Sequence, residues 1–295
     1  MKYLTLLFIL TSLCCASKNH LLSGIENPIE MLRKGENVTL QNKSFNDIID
    51  FTQAGTPALE HQGYKRVNIK GVVTFINCTF KAAVICSKIA TDQSNILCNF
   101  SQSVNFINCN FEGEVNMKGA TFSGGLDLTK SHFAKPVNLE SIYCLDQFRL
   151  NQSYFDQEAK FQNGVFNHQV NMMEATFDGA VSFQSCVFMN DMQAASAKFY
   201  KYADFSMCDF RGSGLFNYAD FRDRSDFSNS NYGRRAEFIK ANLNQSNFSS
   251  IKFYGDVNFD KAESTVKPDF TNTWILLGNK SKNINLNSWV IDEPK

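Results

Sequence analysis

Large apolar residues recur along most of this chain at a spacing of their own. Phe106, Met117, Leu128, Leu139, Leu150, Phe161, Met172, Phe183, Ala194, Phe205, Phe216, Phe227 and Phe238 stand 11 residues apart. A second series lies five residues further on: Phe111, Phe122, Phe133, Cys144, Phe155, Phe166, Phe177, Phe188, Phe199, Phe210, Phe221, Tyr232 and Leu243. The interval therefore alternates 5, 6, 5, 6, slips to 5 and 5 at Phe248 and Phe253, and returns to 6 at Phe259. A helix repeats every 3.6 residues and a half-buried strand every two, so neither produces this series. A chain that turns a corner every five or six residues does, with one central apolar side chain pointing inward on each short side.

The pleat requires a second inward residue two positions earlier. Before the second series that position holds Cys109, Ala120, Ser131, Ser153, Gly164, Ala175, Cys186, Ala197, Cys208, Ala219, Ser230 and Ala241, with Ile142 the one large exception. Before the first series it is bulkier: Val104, Val115, Leu126, Val137, Phe148, Val170, Val181 and Met192. Polar residues such as Asn105, Asn116, Asp127, Asn138, Asp204 and Asp226 fall between the inward ones and face out.

The unit small–Asp/Asn–Phe/Leu–x–x resembles the pentapeptide repeat family, in its Phe-centred variant with 11-residue spacing, from about Val72 to Lys261. The resemblance implies an all-β fold, a right-handed quadrilateral parallel β-helix with four sides per coil. Two 11-residue units would make one 22-residue coil, about seven coils from Val104 onward. At the usual strand spacing the rod would be roughly 35–40 Å long. Cys144 and Ala194 depart from the pattern at central positions.

The flanks read differently. Lys2 followed by the apolar run Leu4–Leu13 and small residues predicts a signal peptide over 1–17, cleaved after Ala16 or Ser17. Cys14 and Cys15 stand where a lipoprotein cysteine would, although Leu13 occupies a place that usually takes a small residue. Residues 18–71 are expected to form a capping region with a short helix, Asn27-Pro28 opening it and Gly35 ending it. The β-helix is expected over 72–261, and Pro268, Trp274 and Trp289 suggest a cap or tail over 262–295. Val73 to Phe80 is nearly copied by Val104 to Phe111, but 31 residues later, so an insertion is expected within Cys86–Leu97.

The 28 Phe now have a cause: like side chains stack along each inner side. Net charge is +0 and would fall to near −1 without Lys2, which offers no electrostatic footprint for nucleic acid. Cys78, Cys98, Cys109, Cys186 and Cys208 sit at the small inner position and read as buried thiols; Cys186 and Cys208 would stack on adjacent coils, bridged or not. His20, His61, His132 and His168 have no partner at metal-ligand spacing. Asp204, Asp209, Asp220 and Asp226 are ladder residues, and Arg211, Arg222, Arg224, Arg234 and Arg235 are interleaved with acids. No catalytic, cofactor-binding or metal-binding residue is expected, and no cofactor.

One outward feature stands apart. With 22-residue coils, Tyr143, Val165 and Val187 stack on one side, with Leu145 and Met189 beside them, and an exposed apolar stripe marks a contact surface. The expectation is a non-enzymatic, exported rod, secreted, periplasmic or in the cell envelope, that binds a protein partner or a second copy through this stripe. It would touch a membrane only if lipidated. Two other readings stand beside it. Some pentapeptide-repeat proteins mimic DNA and protect gyrase, but they look acidic and cytoplasmic. An extracellular carbohydrate-binding β-helix would need an aromatic and acidic groove, for which Tyr143, Tyr154 and Trp274 are the available aromatics.

Overall fold

The computed structural model describes residues 27–276 apart from Gln62, so the expected signal segment, Cys14, Cys15 and Trp289 lie outside the described residues. Within them the chain winds into a solenoid whose coils each contribute one short strand to four sheets. In chain order within a coil, the sheets hold ten, nine, nine and twelve strands and are called sheets 1 to 4 here. Neighbouring coils pair in parallel, and the pairs run at an offset of 22 residues: Val104 with Leu126, Phe111 with Phe133, Val115 with Val137, Phe122 with Cys144. The quadrilateral β-helix that the pentapeptide-repeat resemblance implied is the fold observed.

The coils begin earlier than the residue pattern suggested. Val38–Gln41 pairs with Val73–Ile76 in sheet 1, Ser44–Phe45 with Thr79–Phe80 in sheet 2, and Ile49–Asp50 with Val84–Ile85 in sheet 3. The boundary expected at 72 thus falls inside the solenoid. Two hairpins hid the repeat. Ala58–His61 with Tyr64–Ile69, and Ser87–Ile89 with Asn95–Phe100, are antiparallel pairs inserted just before the first two strands of sheet 4. The second is the insertion expected within Cys86–Leu97. At the other end, Trp274–Ile275 continues sheet 4 past Lys261. The helix is Pro28–Arg33, with the Asn27 side chain accepting from Ile29 N–H and Gly35 at φ 78° ending it.

Two kinds of corner alternate. After the sides of sheets 1 and 3, apart from the two of sheet 3 that lead into the hairpins, comes a turn whose third residue has positive φ, as at Lys130, Ser141, Gln152, Asn163 and Glu174. Its first carbonyl accepts from the fourth residue, Ser131 N–H to Leu128 O at 3.2 Å, which makes it a type II turn. A non-glycine residue there costs about 1 kcal/mol. Three bonds offset it. The corner N–H donates to the coil below, Lys130 to Asn151 O at 3.0 Å. The outward Asx before the corner accepts from the N–H two residues on: Asn138 from Glu140, Asn171 from Met173, Asp204 from Ser206 and Asp226 from Ser228. The small residue after the corner can donate to the central carbonyl of the coil before, as Ser131 Oγ does to Phe106 O and Ser230 Oγ to Phe205 O, both at 2.8 Å. This explains why Asx, Ser and Cys occupy those places.

Phe ladders fill the interior. In sheet 2, Phe45, Phe80, Phe111, Phe133, Phe155, Phe177, Phe199 and Phe221 stack at 4.5–5.3 Å between ring centroids. Departures from the pattern are compensated. Cys144 leaves room above Phe166 in sheet 4, and Phe148 of the adjoining sheet fills it, its ring 5.2 Å from that of Phe166. Tyr232 replaces Phe in the same sheet and meets the equivalent position from the other direction: Gly214 stands there, where a Cβ would lie 2.5 Å from the Tyr232 ring. The slip after Leu243 is a corner shortened by one residue, so Ser246 pairs with Ser225 and Phe253 with Tyr232 at an offset of 21.

Candidate interaction face

The outward position of sheet 4 forms one column through ten coils: Asn68, Asn99, Thr121, Tyr143, Val165, Val187, Asp209, Asn231, Lys252 and Trp274. Three consecutive members are apolar. Tyr143 is 49% exposed and the two valines are half-buried by their neighbours. The column just beyond the inward ring carries Leu145 and Met189, also exposed, with Asn167 between them. All five residues expected to form a stripe are therefore brought together in register on one flat face.

Polar groups bound the patch. Arg66 reaches across to the Gly119 carbonyl and Thr121 Oγ1, both at 3.3 Å, and Asn99 donates to Asn68 at 2.8 Å. Below it, Arg211 and Asp209 pair at 2.8 Å. Sequence reasoning missed the first hairpin at the start of this same sheet and the strands of the second, which add exposed Leu59, Tyr64 and Ile89. They break the 11-residue period, so periodicity could place one insertion but not its strands.

The other expected ladders are internally occupied. Asp220 pairs with Arg222 at 2.7 Å and Glu237 with Arg235 at 2.9 Å, while Arg222 and Arg224 also lie over the rings of Tyr200 and Tyr202 at 4.2 and 4.6 Å. Burial, then the neighbouring Asp204 and Asp226, push the Tyr202 phenol up to about 12. His132 contacts Asp156 at 2.8 Å, and Tyr154 donates to Asp178, the hydrogen bond that chiefly raises its phenol to about 12. Among the described residues no group of three His, Cys, Asp or Glu side chains is placed to hold a metal ion.

The seven described cysteines are buried free thiols. Cys186 and Cys208 are not bridged: their sulfurs donate to the Phe161 and Phe183 carbonyls at 3.1 and 3.0 Å, the bonds that serine makes in other coils. Burial pushes the Cys109 and Cys144 thiols up to about 12, and raises those of Cys186 and Cys208 as well.

Comparison with known proteins agrees with the coil geometry. A family model described as pentapeptide repeats, in nine copies, matches residues 97–141 and 194–241. The stretch between the two matches holds the Ile142, Cys144 and Phe148 exchange and all five apolar residues of the stripe. Among solved structures the chain is similar to HetL, a pentapeptide repeat protein involved in heterocyst differentiation regulation from the cyanobacterium Nostoc sp. strain PCC 7120. Identity is 11%, covering 81% of this chain and 85% of that one, with a TM-score of 0.25, too distant to carry an argument of its own. No curated protein matches. Nine matched repeats, falling within coils of two 11-residue units, make this chain similar to the pentapeptide repeat family.

Proposed function

We propose that this protein is an exported, non-enzymatic rod that presents the sheet 4 face to a protein partner. The observation that carries the reading is the register of Tyr143, Val165 and Val187, three apolar side chains in successive coils where the same column elsewhere is mostly polar. Burying them against water-exposed apolar groups of a partner contributes roughly 25 cal/mol per Å². Three coils of one face span only about 10–15 Å along the rod. The patch is therefore the apolar centre of a modest contact with a polar rim, the anatomy of a non-obligate interface.

The lead segment supports export: a positive residue, a short apolar run and small residues precede the coils. Export is tested by fractionation and the mass of the mature N-terminus, expected near Ser17 or Lys18; an intact Met1 in the cytoplasm would overturn it. The contact face is tested by changing Val165→Asp together with Val187→Asp. Both side chains point outward, so the solenoid should fold while a photo-crosslinker at Tyr143 loses its partner adduct. An adduct that persists unchanged would remove this face from the account.

A further inference from the structure

Two of the seven buried thiols differ from the rest in where they stand. Cys78 and Cys109, like Cys186 and Cys208, lie on parallel strands of neighbouring coils, and each sulfur donates to a backbone carbonyl. Cys86 and Cys98 lie instead at the base of the second hairpin, on antiparallel chain. Asn95 faces Ile89, Ile96 faces Lys88 and Leu97 faces Ser87, so the next opposed pair is Cys98 and Cys86. Cys98 N–H donates to Cys86 O at 3.0 Å.

That bond has a counterpart one coil on, where Ala120 N–H donates to Met117 O at 3.0 Å across an ordinary corner. Cys86 and Cys98 occupy the same two inward places, with the hairpin inserted between them. Both are fully buried. Directly opposed residues of a hydrogen-bonded antiparallel pair stand about 5.5 Å apart at Cα, inside the range a disulfide spans. Burial, followed by the hydrogen bond and charge of the Cys98 sulfur, raises the Cys86 thiol well above its ordinary value. In the first coil the equivalent inward places hold Phe51 and Val67, so this pair of thiols belongs to the second hairpin alone.

We propose that Cys86 and Cys98 form a disulfide that staples the hairpin to the coil when the chain folds in the presence of a disulfide donor such as glutathione disulfide. One thiolate attacks the donor disulfide, releasing one donor thiol and leaving a mixed disulfide. The other thiolate then displaces the second donor thiol. The two cysteines lose two electrons and two protons overall, and the donor disulfide becomes two thiols. Because both folded thiols are fully buried, out of reach of a donor in solution, the bond forms as the coil closes rather than afterwards. This does not depend on the partner face.

The test is synthesis of the full chain in a buffer of reduced and oxidised glutathione, blocking of free thiols with N-ethylmaleimide, and mass mapping of unreduced peptides. The expected result is one linked peptide pair joining Cys86 to Cys98, with Cys78, Cys109, Cys144, Cys186 and Cys208 alkylated after denaturation. Reductant should then lower the melting temperature of the native chain by roughly 5 °C and leave that of Cys98→Ala unchanged. Alkylated Cys86 and Cys98, or a link between Cys186 and Cys208 in their place, would overturn the proposal.

Discussion

The four sheets look alike in cross-section, yet their outward residues obey different constraints. On sheets 1 and 3 the outward Asx side chain accepts a backbone N–H of the type II corner that follows, as Asp127 does from Thr129, Asp204 from Ser206 and Asn247 from Ser249. That residue belongs to the backbone's own bonding. On sheets 2 and 4 the described corners have no positive-φ residue apart from Gly125 and Gln245, the latter at the corner shortened by one residue, and require no such cap. The outward column there is His132, Tyr154, Thr176, Lys198 and Asp220 on one sheet, and Thr121, Tyr143, Val165, Val187 and Asp209 on the other. Side chains on these faces are free to vary, and the apolar stripe of Tyr143, Val165 and Val187 stands on one of them. The comparison teaches where a regular solenoid can carry recognition without weakening itself.

The interior is common to all four faces, and the largest expected effect acts on it as a whole. Cys109, Cys144, Cys186, Cys208 and Tyr232 all have their pKa values raised by burial. A raised acid holds its proton longer in the folded chain than in the unfolded one. Its contribution is full below the unfolded value of about 9 for a thiol and is lost as pH rises toward the folded value. Melting temperature should therefore be level near pH 7–8 and fall steadily above pH 9. A level profile to pH 11 would show the thiols to be less buried than described here.

Single ladder residues come next. Phe177→Ala in sheet 2 and Phe183→Ala in sheet 3 should each cost about 3–5 kcal/mol in urea unfolding, because neither face relaxes into the cavity. A large difference between the two would mean that the faces differ inside as well as outside. Gly214→Ala drives a methyl into the Tyr232 ring and should cost about 1–3 kcal/mol. Tyr232→Phe removes a buried hydroxyl that lacks a partner and should be neutral or stabilising. In the Tyr232→Phe background the cost of Gly214→Ala should persist, since the clash is with ring carbons.

The solenoid was legible in the sequence because every coil repeats the same inward demand. The 5, 6 spacing gave the sides, the small residue two positions earlier gave the pleat, and Asn27-Pro28 marked the helix start. What escaped was aperiodic. Leu40, Phe45 and Phe51 are inward residues of the first coil, but the hairpin over 58–69 separates that coil from the next by 35 residues, so no period links them. The compensation of Cys144 by Phe148 was visible only as one departure, Cys144, because Phe148 reads as a regular bulky inward residue and its contact with Phe166 joins residues 18 apart on different sides. The stripe could be found because the four-sided coil implied by the family resemblance joins two 11-residue units into a 22-residue period.

The division between faces is tested most directly by one pair of substitutions on adjoining sides. Asp204→Ala removes an outward cap on sheet 3 whose carboxylate accepts from Ser206 N–H at 2.9 Å and its hydroxyl at 2.6 Å. Lys198→Ala removes an exposed outward residue of sheet 2. Urea unfolding should show a loss of about 1 kcal/mol for the first and less than about 0.5 kcal/mol for the second. Equal costs at the two positions would contradict the claim that the outward Asx residues of sheets 1 and 3 serve the corners of the fold while the outward residues of sheets 2 and 4 do not.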